Sequence, residues 1–306
     1  MTIEEMLDEF TLAKRAEGVT GATLKWYACI VAALERWVAV QADQELTPAA
    51  MKRYLVHLRD RHKQPGPDGT TPQPYSDHSI VSIHRCLRSF FRWCEEEGLL
   101  TQSPMQGVKV KRPDPAEPRR ALRDEVALLI RSIPVDSWIG LRDYLVVHTI
   151  FFCGLRVGEV VRLEERHFDI GNQVLHIPGG KTGAGVVPLM RDVIEAFLAY
   201  QIHRPKGYTD KLFVSSYGTG SPRGALGTSG VRLMIARRCA EAGIRTLNPH
   251  SFRHGIAMHL LNDKRVDATM VQRILRHANL RTTTTFYAQW TIAALADEYR
   301  AVMEED

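Results

Sequence analysis

The chain has little of what disulfide-stapled or metal-held folds need. Its 306 residues include five cysteines, Cys29, Cys86, Cys94, Cys153 and Cys239. Their number is odd, their positions are scattered and no Cys-x-x-Cys pair occurs. That argues against a disulfide framework and a structural zinc site, and reads as reduced thiols in the cytosol. Long apolar runs are missing too. The most apolar stretch, residues 145–155, is too short to span a bilayer and contains His148. No internal repeat or low-complexity tract is present. The opening MTIEEMLDEF is acidic and lacks a signal peptide's apolar core, so a cytoplasmic location is expected. Neither sign of charge dominates. Forty Lys and Arg stand against 35 Asp and Glu, a net +5 that only hints at a polyanionic partner.

What is present is ordinary globular material, with 44% hydrophobic and 25% charged residues. At roughly 150 residues per domain, the length predicts about two domains with sizeable cores. The basic excess is uneven. Residues 1–110 carry 13 basic and 14 acidic groups, and residues 111–306 carry 27 and 21.

The first 110 residues read as four helices. Thr2 and Glu5 form a capping box, and apolar residues recur at helical spacing from Leu24 to Val38. Thr47-Pro48 opens a third helix, and residues 76–97 form a fourth, closed by Gly98. Residues 64–75 are a Pro/Gly loop. Residues 111–120, KRPDPAEPRR, are a linker, because three prolines exclude a helix or a central strand. Residues 121–306 are mixed. Helices are predicted over 122–133, 136–152, 191–202, 229–242, 250–261, 267–275 and 292–303. Short strands are predicted at 174–177 and 186–189, joined by a turn containing Lys181. The Gly/Ser-rich run 218–230 reads as a loop.

Four local patterns occur in order: Gly154-Leu155-Arg156-Val157-Gly158-Glu159, the hairpin Lys181, His250-Ser251-Phe252-Arg253-His254, and Leu275-Arg276-His277 followed ten residues later by Tyr287. Taken singly, each has an ordinary reading as a surface arginine, a solvated turn lysine, a helix-start histidine or a core tyrosine. Taken together, the set resembles the tyrosine recombinase family of phage integrases and Xer-type resolvases, whose arginine, hairpin lysine, H-x-x-R-H, L-G-H and tyrosine follow the same order. The resemblance covers roughly residues 120–290 by motif.

It implies a mainly α fold with a small antiparallel β-sheet: a SAM-like core-binding helical bundle over 1–110 and an α+β catalytic domain over 121–306. It also implies site roles. Arg156 and Arg253 would clamp the phosphate, since a guanidinium is a permanently charged planar fork suited to the transition state's oxygens. His277 would add a hydrogen bond. Tyr287 would be the nucleophile, His250 its base and Lys181 the acid for the leaving 5′ oxygen. Glu159, one turn after Arg156, would orient a neighbouring histidine or arginine. No cofactor and no metal are called for, because a 3′-phosphotyrosine conserves the phosphodiester's energy.

Arginine stands at 276, where the family has glycine. Glycine there permits a positive φ or a close backbone approach. With arginine, the expectation is a helical residue touching a phosphate.

The implied partners are a double-stranded DNA recombination site, a homo-tetramer in the synaptic complex and accessory DNA-bending proteins, at the nucleoid and with no membrane. Candidate phosphate contacts are Lys52, Arg53, Arg59, Lys63, Arg85, Arg88 and Arg92 in the first domain, and Lys111, Arg112, Arg119 and Arg120 in the linker. Ile292, Leu295, Tyr299 and Met303 form an amphipathic stripe. It packs on its own domain or docks on a neighbouring protomer.

Two tempting motifs fail. Gly180-Lys181-Thr182 ends like a P-loop, but Leu175 occupies the first glycine position and a strand follows. His250 and His254 have zinc-pair spacing, but no glutamate follows His250 and Arg253 would sit beside the metal. A topoisomerase IB-like nicking-resealing enzyme and an inactive integrase-like DNA-binding regulator remain as alternatives.

Overall fold

The computed structural model describes residues 1–41, 45–60, 75–113, 120–179, 183–217 and 220–276. Lys63, Arg119, Lys181, His277, Tyr287 and the 292–303 stripe lie outside them. The chain divides into two compact units, Met1–Ala116 and Glu117–Asp306, a division inside the 111–120 segment.

In the first unit, Thr2 and Glu5 cap each other. The Glu5 N–H donates to Thr2 Oγ1 at 3.1 Å and the Thr2 N–H to Glu5 Oε2 at 2.7 Å. This opens α1 (Ile3–Ala16). Helices α2 (Gly21–Val38), α3 (Pro48–Asp60) and α4 (Asp77–Glu96) follow. Their apolar faces meet around Phe10, which touches Tyr27, Phe90 and Trp93 edge-on at 5.0, 5.3 and 5.4 Å. After α4 the chain returns across it, and His84 Nε2 donates to the Val108 carbonyl at 2.9 Å.

The second unit is built round α6 (Trp138–Phe152), preceded by α5 (Arg123–Ser132). Buried residues occur on all sides of α6, so it is a core helix rather than an amphipathic one. Its charged pair sits inside a network. Asp143 Oδ1 accepts from Arg142 Nη2 at 2.7 Å, while Oδ2 accepts from Arg237 Nη2 at 3.1 Å and Arg238 Nε at 2.9 Å. Arg142 Nη1 also donates to the Val214 carbonyl at 2.8 Å.

After α7 (Val157–Val160) comes an antiparallel sheet of β1 (Phe168–Asp169), β2 (Val174–Ile177) and β3 (Gly185–Pro188). Val174 pairs with Pro188 and Ile177 with Gly185. The sheet packs on α8 (Arg191–His203) through Phe168 stacked on Phe197 at 4.1 Å.

The run 218–230 departs from the loop expected there. It holds strand β5 (Ser221–Ala225), paired with β4 (Val214–Tyr217), and the first turn of α9 (Thr228–Glu241). Strand β5 is an edge strand held by backbone pairing rather than by burial, so its Pro222 and Gly224 are tolerated and no apolar alternation marks it.

Helix α10 (Pro249–Met258) is shorter than expected, passing at His259–Asp263 into a wider π turn in which the Lys264 N–H reaches the His259 carbonyl at 3.0 Å. Helix α11 (Ala268–Leu275) closes the described chain. Helix α10 lies hard against the start of the unit. The Ala121 N–H donates to the Ser251 carbonyl at 2.9 Å, and a Cβ on Gly255 would lie 2.3 Å from the Ala121 oxygen. Among the described residues, no helix is long and apolar enough to cross a membrane.

Candidate active site

The turn after α6 presents Arg156. Gly154 makes that turn at φ +59, where a Cβ would lie 2.6 Å from Leu275 Cδ2. Arg156 then caps α7 with its side chain 30% exposed, while Glu159, one turn on, is 3% exposed. Glu159 reaches back to both ends of Arg156. Its Oε2 accepts the backbone N–H at 2.8 Å and its Oε1 accepts Nη1 at 3.2 Å. Burial pushes the Glu159 pKa up, but the Arg156 N–H and the Arg276 and Arg156 guanidiniums outweigh it and hold the carboxyl below its ordinary value.

Asn248 starts α10 by accepting the His250 and Ser251 N–H groups, each at 2.9 Å. His250 and Arg253, three apart, share one helix face. The Arg253 side chain is buried. Its Nη1 donates to the Gly154 carbonyl and its Nη2 to the Leu275 carbonyl. It thereby ties the Arg156 turn to the end of α11. Desolvation, then the Arg253 and Arg156 charges, push the His250 imidazole below its ordinary pKa, so it is mostly neutral at pH 7. His254 stands edge-on to His250 at 4.7 Å. Burial, then His250 and Arg253, lower its pKa to about 4.

Arg276 differs from the helical residue expected. It is left-handed, at φ 54 and ψ 49, in the C-cap position of α11. The backbone follows the path a glycine would take, and the side chain turns inward. Arg276 Nη2 donates to Glu159 Oε2 at 2.8 Å. No local sequence signal foretold this pair, because the partners are 117 residues apart.

The structure therefore gathers Arg156, Glu159, His250, Arg253 and Arg276. Lys181, His277 and Tyr287 lie outside the described residues. Strands β2 and β3 flank the Lys181 turn, and His277 follows Arg276 directly. Among the described residues, no cluster of three His, Cys, Asp or Glu side chains could hold a metal ion.

In the first unit Lys52, Arg53, Arg85, Arg88 and Arg92 are exposed, as are Lys111, Arg112 and Arg120. Arg92 pairs with Glu96 at 2.8 Å and Arg59 with Asp77 at 3.4 Å. Arg85 and Arg88 on α4 line a groove of about 300 Å³ with Lys109 and Arg112. Lys109 was missed in the sequence, although it begins the run Lys-Val-Lys-Arg.

Guanidiniums set beside a neutral imidazole can stabilise a phosphate gathering negative charge, and the class of chemistry this geometry fits is phosphoryl transfer. Comparison with known proteins gives the family. The phage integrase family pattern matches residues 120–292, more than half of the chain. Tyrosine recombinase XerA of Thermococcus kodakarensis is 28% identical over 292 residues, covering 95% of this chain and 93% of its own. Tyrosine recombinase XerD of Listeria innocua is 29% identical over 234 residues, covering 74% and 76%. Among solved structures, the Tn1549 transposon integrase in complex with a circular intermediate DNA has a TM-score of 0.71 at 17% identity, covering 99% of both chains. A lambda integrase dimer bound to a COC′ core site has a TM-score of 0.69 at 18% identity, covering 95% and 98%. The chain belongs to the phage integrase family, the tyrosine recombinases. It is an enzyme that breaks and rejoins DNA strands.

Proposed function

We propose that the protein is a site-specific DNA recombinase that works through a 3′-phosphotyrosine on Tyr287. The observation that carries this reading is the convergence of His250 and Arg253 on Arg156, which the buried Glu159 holds. The Tyr287 oxygen attacks the scissile phosphorus and gives its proton to His250, whose lowered pKa leaves the imidazole free to accept it. The P–O5′ bond breaks, and Lys181 gives the leaving 5′ oxygen a proton. Arg156, Arg253 and His277 stabilise the five-coordinate phosphate. A 5′-hydroxyl from a second strand then attacks the phosphotyrosine, and the reverse proton transfers release Tyr287. Bond energy is conserved throughout, so the reaction draws on no cofactor.

A tetramer would hold two duplexes, with accessory DNA-bending proteins as further partners, in the cytoplasm at the nucleoid. The Arg85, Arg88, Lys109 and Arg112 groove, with Lys52, Arg53, Arg92, Lys111, Arg119 and Arg120, would meet DNA phosphates. The test is incubation with a nicked suicide duplex carrying the DNA that flanks the protein's own coding sequence. A denaturation-resistant adduct is expected, and Tyr287→Phe abolishes it while DNA binding survives. An adduct persisting in that variant reassigns the nucleophile. Relaxation of supercoils with no strand exchange indicates a topoisomerase, and binding with no adduct indicates a regulator.

A further inference from the structure

We propose that Arg276 is a positioning residue for strand cleavage, holding Arg156 through Glu159 and bracing the base of the hairpin that carries Lys181; this rests on the recombinase reading above. Three observations meet at this side chain. Its guanidinium is 13% exposed and shares Glu159 Oε2 with the Arg156 backbone N–H, at 2.8 Å for each donor. Its stem lies on Gly185, where a Cβ would come within 2.7 Å of Arg276 Cδ, so the first residue of β3 is open for it to cross. Its backbone is left-handed, a conformation that disfavours arginine, so the side-chain contacts hold it there.

The charges show what this does. Arg156 and Glu159 alone form a neutral pair, and a phosphate meeting that pair meets little net field. A second guanidinium on the far side of the same carboxylate makes the trio net positive. Arg156 keeps both its fixed rotamer and its charge for the phosphate. The same side chain joins the end of α11 to β3, and the neighbouring Leu275 carbonyl holds Arg253. One residue thus sets the relative positions of the two arginines and of the strand leaving the lysine turn. Where the family has glycine, this chain satisfies the backbone at 276 and adds a tie.

The full-length protein with Arg276→Gly tests this. Glycine suits the left-handed backbone, so the variant folds, and far-UV circular dichroism checks that it does. Adduct formation on the suicide duplex is timed at saturating protein, and DNA affinity is measured separately. The expected result is a cleavage rate lowered about 10- to 100-fold with affinity changed less than about twofold. Below the limb set by His250, the further loss of rate in acid that Glu159 sets moves upward in pH, because Glu159 loses a cation that favours its ionised form. Arg276→Lys retains the charge and recovers part of the rate. If Arg276→Gly cleaves as fast as the parent with the same pH profile, this inference is overturned while the recombinase reading stands. If the parent forms no adduct at all, both are overturned.

Discussion

Replacing Asp143 with alanine removes the buried carboxylate at the centre of a cluster of arginines. Asp143 is wholly buried, and the Arg142 and Arg238 side chains are 4% and 8% exposed. Arg237 reaches the same carboxylate from the surface. Without it, Arg142 keeps its hydrogen bond to the Val214 carbonyl and Arg238 keeps Glu241 at 2.8 Å, but Arg142 has no remaining anion among the described residues. Breaking a buried pair by deleting one partner costs about 3–5 kcal/mol. For a domain of this size, about 2–4 °C per kcal/mol converts that to a fall of roughly 6–20 °C in the melting of the second unit. Scanning calorimetry of the full chain measures it. Adding Arg142→Met and Arg238→Met to Asp143→Ala recovers much of the loss, because removing a whole buried ionic network is far milder than orphaning half of it. A fall below about 2 °C for Asp143→Ala alone refutes the argument that the carboxylate is the network's counter-charge.

Gly154→Ala forces a side chain onto a left-handed backbone and into Leu275, and lowers stability by about 2 kcal/mol or more in urea titration; a neutral outcome contradicts the close approach. Cleavage is flat near pH 7 and falls at pH values below the usual imidazole value of 6.5, as His250 takes up a proton; a rate that rises in acid removes His250 as the base. His254, with a folded pKa of about 4 against 6.5, binds fewer protons folded than unfolded between those values, so stability drops as pH falls from 6.5 to 4; His254→Asn flattens that slope in thermal melts. Ellman's reagent titrates one thiol quickly in the native protein, the exposed Cys29, because Cys86, Cys94, Cys153 and Cys239 are buried, with Cys86 and Cys153 pushed up to about 12; more than one fast thiol contradicts that burial.

The helices of the first unit were legible because their signals are local. Thr2 with Glu5, Thr47-Pro48 and Gly98 are end markers, and the apolar spacing between them has one period. The order of Arg156, His250 and Arg253 was legible because each sits in a short pattern on a helix start. Strand β5 was hidden, since edge pairing asks nothing of side chains and glycine and proline read as a loop. The handedness of Arg276 was hidden for a different reason. A left-handed arginine is held by partners at Glu159 and Gly185, and neither is near it in the chain. Lys109 was hidden because its role depends on the chain folding back across α4.

The contact of Ala121 with α10 has a mechanical side. Ala121, just after the linker, is hydrogen-bonded to Ser251 and wedged against Gly255, between and beside His250 and Arg253. A displacement of Ala121 is therefore carried straight into α10, the helix that bears His250 and Arg253.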